Sequence, residues 1–282
     1  MLIITHPERI IYPETGITKR DLAQYYEAVE EWMLPYVKQR ALTLLRCPQG
    51  QAQKCFYQKH LHDKIDGLYP IEVQDKNSVE EYSYLKSVDG LVALVQFGVL
   101  EIHCWGSKID KLEQPDVIIF DLDPAEDVSW KNVMGGAKIV RQKLTELKLV
   151  SFVKTTGGKG LHVVVPIKRK HDFAAVKQYS HDIVDELVAE YPQAFTGTIT
   201  KSKRVGKIFL DYLRNQHGAT AIAPYSTRVH AHAPVATPIH WDELNARLKP
   251  ASFTVKTLPK RLKALKDDPW EDYFKVSQKI KI

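Results

Sequence analysis

Two aspartates, Asp121 and Asp123, stand where the apolar run PDVIIFDLDP (Pro115–Pro124) gives out. In an extended strand, residues i and i+2 project from the same face, roughly 6–7 Å apart. Both carboxylates therefore point one way and Leu122 the other. Like charges at that range repel, and a hard divalent cation such as Mg²⁺ or Mn²⁺ is the natural compensation. A third acid, Asp211, lies inside a second apolar strand pattern, KIFLDYL (Lys207–Leu213). Three strand-borne carboxylates suit a pair of metals that clamp the attacking and leaving oxygens of an in-line phosphoryl or nucleotidyl transfer. A plainer reading makes DLDP a strand end with a turn aspartate. Against it stand the apolar setting of all three acids and the cations close by in sequence.

Two stretches offer those cations. TTGGKGLH (Thr155–His162) holds three glycines, Lys159 and His162, and no acid. Glycines let backbone N–H groups approach phosphate oxygens, though the spacing is not that of a Walker A loop. The same residues also read as a hairpin turn with a solvated lysine. TKSKRVGKIFLDYLRN (Thr200–Asn215) places Lys201, Lys203, Arg204, Lys207 and Arg214 around the single acid Asp211, and APYSTR adds Arg228. Charge runs are ordinarily solvated faces, but this one brackets a carboxylate. His103, in LEIHCW, alternates with apolar neighbours, a pattern commoner for a hydrogen-bonded core histidine than for a catalytic one.

The elements that must position these groups follow from periodicity. Leu22, Tyr25, Tyr26, Val29, Trp32, Met33 and Val37 predict a helix over Thr18–Lys38, with TKRD as its cap. Further helices are expected over Leu91–Val99, Trp130–Leu147 and Phe173–Tyr191, with short ones near Trp241–Leu248 and Pro259–Leu265. Strands are expected at Ala41–Cys47, Phe56–His60, Leu100–Trp105, on both sides of the glycine turn within Ser151–Ile167, at Gly206–Leu213 and within Gly218–Ser226. The fold class is α/β (α+β): a mostly antiparallel or mixed sheet flanked by helices, with a small N-terminal portion packed on it.

The chain has 282 residues, 44% of them hydrophobic, and a formal net charge of +6. That is enough for a sizeable core and gives a mild bias toward a polyanionic partner. Cys47, Cys55 and Cys104 are odd in number and have no CxxC spacing, so no disulfide framework is expected. The N-terminus lacks the apolar core of a signal peptide, and Leu91–Leu100 is too short to span a bilayer. A cytoplasmic protein without a membrane partner is expected.

FDLDP, TTGGKGLHVVVP and KIFLDYLRN…ATAIAPYSTR, in that order, resemble the polymerase domain of bacterial ligase D. That domain belongs to the archaeo-eukaryotic primase superfamily and acts in non-homologous end joining. The resemblance covers nearly the whole chain from ITHPERIIYPETGITKRDLAQYY onward. It implies one primase-polymerase-like domain over 1–282, with a DNA-end-binding portion at 1–60 and a catalytic core at 100–230. The family's metal ligands fall on Asp121, Asp123 and Asp211, for two Mn²⁺ or Mg²⁺ ions. Its nucleotide contacts fall on Thr156, Lys159, His162, Arg204 and Arg228, with His103 lining the pocket and Arg214 at a basic or polar position. A base-stacking aromatic matches Phe56, with Tyr57 beside it. Contacts to a downstream 5′-phosphate fall on Arg9 and Lys19, with His6 a lesser candidate for the same contact. The implied reaction adds nucleotides, ribonucleotides by preference, to primer 3′ ends at gaps and breaks, and the implied partners are DNA, nucleoside triphosphates, Ku and a DNA ligase. Competing readings are a primase starting chains de novo, a non-catalytic end-binding module, and a ligase whose nucleophile would lie in KIDG (Lys64–Gly67).

Overall fold

Thr18 opens the first helix with a full capping box. Its side chain accepts from the Asp21 backbone, and the Asp21 carboxylate accepts from the Thr18 backbone. The computed structural model, described here for residues 3–61, 64–75 and 78–282, is mixed α/β. The helix predicted over Thr18–Lys38 is two helices, α1 (Lys19–Ala28) and α2 (Glu30–Val37), broken at Val29. Val29 leaves helical geometry there, at ψ 8°. The strands are β1 (Ile10–Tyr12), β2 (Ile17–Thr18), β3 (Leu42–Arg46), β4 (Phe56–Gln58), β5 (Leu68–Asp75), β6 (Ser78–Leu85), β7 (Val99–Trp105), β8 (Val117–Pro124), β9 (Phe152–Thr155), β10 (Leu161–Pro166), β11 (Phe195–Thr196), β12 (Ile208–Asp211), β13 (Thr220–Ile222) and β14 (Pro238–Ile239). The remaining helices are α3 (Val88–Gln96), α4 (Trp130–Glu146), α5 (Phe173–Glu190) and α6 (Leu258–Ala264). No helix of the described residues is long and apolar enough to cross a membrane.

The chain divides into two compact units, residues 1–110 with 220–236 and 253–265, and residues 111–219 with 237–252 and 266–282. In the first, an antiparallel sheet runs β13-β7-β3-β6-β5, with β4 also paired to β3. The long β5–β6 hairpin escapes the sequence reading, because Pro70 and the run of acids disguise its alternation. α3 buries Leu91, Val92, Ala93, Leu94 and Val95.

The disulfide expectation is corrected in this unit. Cys47 and Cys55 are bonded, their Cα atoms 4.4 Å apart, and Cys104 is a buried thiol. The reason is local: the chain reverses between β3 and β4 through Gly50, at φ +96°, and so returns Cys55 to Cys47. KIDG has a plain structural role too. Gly67, at φ +89°, lies just ahead of β5, where an added Cβ would come within 2.9 Å of the Gly90 backbone.

In the second unit the sheet runs β11-β12-β8-β10-β9-β14, antiparallel except for the β11–β12 pair. Ile118, Phe120 and Leu122 of β8 are fully buried. Gly136 of α4 comes so close to this layer that a Cβ there would meet Ile208, Phe195 and Leu122. Leu122 thus faces α4, and Asp121 and Asp123 face away from it.

Candidate active site

Register brings the acids of the second unit together. Asp211 of β12 is the direct cross-strand partner of Asp121 of β8, and His162 of β10 is the partner of Asp121 on its other side. Lys154 of β9 pairs in turn with His162. Lys154, His162, Asp121 and Asp211 therefore form one row across four strands, on one face, with Asp123 two residues along.

The row is knit by charge. Arg214 Nε stands 3.2 Å from both Asp121 Oδ2 and Asp211 Oδ2. His162 Nε2 lies 3.4 Å from Asp121 Oδ1. Burial alone would raise the Asp121 pKa, but His162, Arg214 and Lys154 outweigh it and hold this carboxyl well below its usual range. Asp211 moves the other way. Burial raises it, Arg214 offsets part of that, and the facing Asp121 adds to the rise. His162 is buried and its imidazole pKa is pushed down to about 4, by burial and then by the Lys154 charge, against the pull of Asp121. Its Nδ1 is buried with no hydrogen-bond partner among the described residues.

Arg204 binds the third acid. Its Nη1 donates to Asp123 Oδ2 at 2.8 Å, and its other nitrogens donate to the Thr198 and Ile199 carbonyls. The guanidinium lies 4.0 Å over the Phe209 ring. Behind the acids, Asn215 clamps β8 to α5. Its side chain bonds both the N–H and the C=O of Ile119, and Ser180.

As the side chains stand, no three metal-type groups among the described residues are gathered around one point. Guanidinium groups occupy the carboxylates instead. The donor set nevertheless fits a hard divalent ion. It is all carboxylate oxygen, it is paired by register, and its excess negative charge already draws in two arginines.

The glycine turn is more structural than the sequence suggests. Thr156 Oγ1 donates to the Gly160 carbonyl and accepts from Gly158 N–H. A Cβ at Gly160 would lie 2.5 Å from the Leu122 carbonyl oxygen, so glycine is required for the loop to lie against β8. Lys159 projects into solvent 3.8 Å from Glu126.

The first unit holds a second cluster, which the sequence reading only half saw. Glu101 of β7, 2% exposed, accepts from His103 Nε2 at 2.9 Å, Arg228 Nε at 2.9 Å and Val229 N at 2.8 Å. In LEIHCW, Glu101 passes for an outward-facing residue, and only the fold shows a buried carboxylate. Burial would raise its pKa, but His103, Arg228 and Val229 hold it down at about 2. Arg228 is itself fixed from behind, because the Tyr12 hydroxyl donates to its carbonyl and Tyr25 to that of Tyr225.

Tyr57 stands edge-on to His103, ring centroids 5.7 Å apart. Phe56 lies on the opposite face of β4, beside Arg46. Near the N-terminus, Lys19 is buried, its Nζ donating to the Thr5 carbonyl and to Gln96 Oε1. Arg9 is exposed and donates to Gln49. Burial, and then the Arg9 charge, lower the Lys19 pKa. His6 is exposed, at φ +50°.

The Glu101 shift carries a stability prediction. Its folded pKa lies below its unfolded value of 4.5, so its contribution is present above pH 4.5 and is lost as pH falls toward 2. A shift of that size corresponds to about 3 kcal/mol. In denaturant melts stepped from pH 6 to pH 3, wild type is expected to lose more than half of its advantage over Glu101→Gln. A gap that stays constant with pH would show that Glu101 is not held ionised.

Three carboxylates on adjacent antiparallel strands are thus each met by a guanidinium or imidazole. Residues 18–270 match the family described as LigD, primase-polymerase domain. The chain belongs to that family. It is 35% identical, over 98% of its length, to the multifunctional non-homologous end joining protein LigD of Pseudomonas aeruginosa, of which it covers 33%. It is 30% identical, again over 98% of its length, to the bifunctional LigD of Bacillus subtilis, of which it covers 45%. The chain thus spans a third to under a half of these relatives. Its fold is similar to that of the polymerase domain of Mycobacterium tuberculosis ligase D, solved in complex with DNA. The TM-score is 0.87 at 30% identity, covering 95% of this chain and 96% of that one.

Proposed function

We propose that this domain adds nucleotides to primer 3′ ends at gaps and double-strand breaks, preferring ribonucleotides, in non-homologous end joining. The observation that carries the reading is the register pairing of Asp121 with Asp211, with Asp123 on the same face. Asp121, Asp123 and Asp211 would hold two divalent ions, Mg²⁺ or Mn²⁺. When bound, such ions neutralise a triphosphate and lower the pKa of an attacking hydroxyl. Arg214 and Arg204, which now neutralise the carboxylates, would then turn their charge to phosphate oxygens. His162, kept neutral by its surroundings, offers a hydrogen bond without adding to the repulsion between cations. Lys159 and Thr156 belong to the loop expected near the phosphates, Lys159 as a mobile charge and Thr156 as a brace.

In the first unit, Arg228 is assigned to phosphate and His103 to the ribose 2′-hydroxyl, which both donates and accepts. Phe56 or Tyr57 would stack on the base, and Tyr57 has the added support of its contact with His103. Arg9 and Lys19 are assigned to a 5′-phosphate. The DNA-bound relative supports a DNA partner, and Ku and a ligase are expected from the end-joining relatives. The domain is read as one unit of function over 1–282, acting in the bacterial cytoplasm.

The test is primer extension on a gapped duplex bearing a downstream 5′-phosphate, with ribo- and deoxynucleotides compared under Mg²⁺ and Mn²⁺. Extension with a ribonucleotide preference is expected. Absence of any incorporation under either metal would remove the reading in favour of an end-binding module. Dinucleotide synthesis without a primer would favour the primase reading.

A further inference from the structure

Resting on the reading of His103 as the ribose contact, we propose that Glu101 is a positioning residue for nucleotide selection: its buried carboxylate sets the tautomer of His103 and holds Arg228 on the same anchor. The chemistry is specific. An ionised carboxylate only accepts, so the ring nitrogen facing Glu101 Oε2, which is Nε2, must carry the proton. In the neutral ring, Nδ1 then carries the lone pair. That is an acceptor, suited to a 2′-hydroxyl that donates.

The other carboxylate oxygen, Oε1, takes Arg228 Nε and Val229 N–H together. Its two donors are fixed, one of them by the backbone. Tyr12, Tyr26 and His230 also lie within electrostatic reach of Glu101, and none supplies a second carboxylate. Rotation of His103 is limited further by Tyr57. A single buried acid thus fixes the hydrogen-bonding sense of one nucleotide contact and the direction of another.

The variant Glu101→Gln inverts this arrangement. Its amide oxygen is retained by the two donors at Oε1, so the amide NH₂ turns toward His103. The facing Nε2 must then accept, and the proton moves to Nδ1. Selection at the 2′ position changes accordingly. A 2′-fluoro nucleotide accepts but cannot donate, so wild type is expected to treat it like a deoxynucleotide. In Glu101→Gln the ratio of kcat/KM for 2′-hydroxyl over 2′-fluoro nucleotides is expected to fall about 10-fold, the scale of one neutral hydrogen bond. KM is expected to rise for all nucleotides alike as Arg228 loosens. In a His103→Ala background, Glu101→Gln is expected to leave the ratio unchanged.

The direct measurement is ¹⁵N NMR of histidine-labelled protein at a pH where the ring is neutral, with His103→Asn assigning the signal among the 11 histidines. Protonated Nε2 is expected in wild type and protonated Nδ1 in Glu101→Gln. A wild-type ring protonated at Nδ1 overturns the proposal without any variant. So does a Glu101→Gln protein with an unchanged tautomer or an unchanged 2′ ratio. Should wild type incorporate no nucleotide at all, the polymerase reading fails, while the tautomer measurement still decides the role of Glu101.

Discussion

Replacing Asp211 with Asn is expected to lower primer extension by at least about 10³-fold, a barrier increase of about 4 kcal/mol, while the domain melts no earlier than wild type. The two effects part because the residue is set against its own charge. Asp211 is 8% exposed and faces Asp121 across the ladder, and both burial and that neighbour raise its pKa. An amide removes the repulsion and can keep the hydrogen bond from Leu213 N–H. What it cannot do is bind a hard divalent ion with the strength of a carboxylate. Such a site stores instability for use in function. Asp121→Asn makes the contrast. His162, Arg214 and Lys154 all favour its ionised form, so removing that charge is expected to cost about 3 kcal/mol of stability as well as activity. Extension assays beside thermal melts decide the matter. Normal extension by Asp211→Asn would refute the carboxylate mechanism.

The second large effect concerns the N-terminal cations. Arg9→Ala combined with Lys19→Met is expected to weaken binding to a gap carrying a 5′-phosphate about 100-fold and to leave binding to the unphosphorylated gap within a few fold. A terminal phosphate carries nearly two charges. Two charge-assisted hydrogen bonds lost from it correspond to about 3 kcal/mol or more. Burial and the Arg9 charge both lower the Lys19 pKa, a pressure that a bound phosphate would reverse. Methionine keeps the stem that fills the buried space beside Gln96. Fluorescence anisotropy on the two substrates at matched salt is the measurement. Equal losses on both would reject the 5′-phosphate assignment.

Much of this was legible in the residues. Asp121 and Asp123 share a face because a strand has a period of two, and that needs no tertiary knowledge. The Thr18 cap, α4, α5 and the hairpin around Gly157–Gly160 were likewise local. The pairing of Asp211 with Asp121 was not, since it depends on β12 choosing β8 and on their register. The roles of the loop residues were obscured for a different reason. Glycine serves phosphate approach and close backbone packing alike, and what separates the two is that a Cβ at Gly160 would lie 2.5 Å from the Leu122 carbonyl oxygen. Glu101 was missed because an acid in an alternating strand reads as solvent-facing, and its partner Arg228 lies far along the chain. The break at Val29 escaped because apolar periodicity runs straight through it.

The bond between Cys47 and Cys55 closes a small ring between β3 and β4. From that ring Gln49 receives Arg9, and the Gln51 N–H donates to the Ile11 carbonyl. A dithiol in a storage buffer would open the ring, leaving two thiols on the protein and an oxidised dithiol in solution. Samples kept with and without such a reagent are then different covalent species at the very place where Arg9 is braced. Affinities for 5′-phosphorylated ends compare only between samples of the same thiol history.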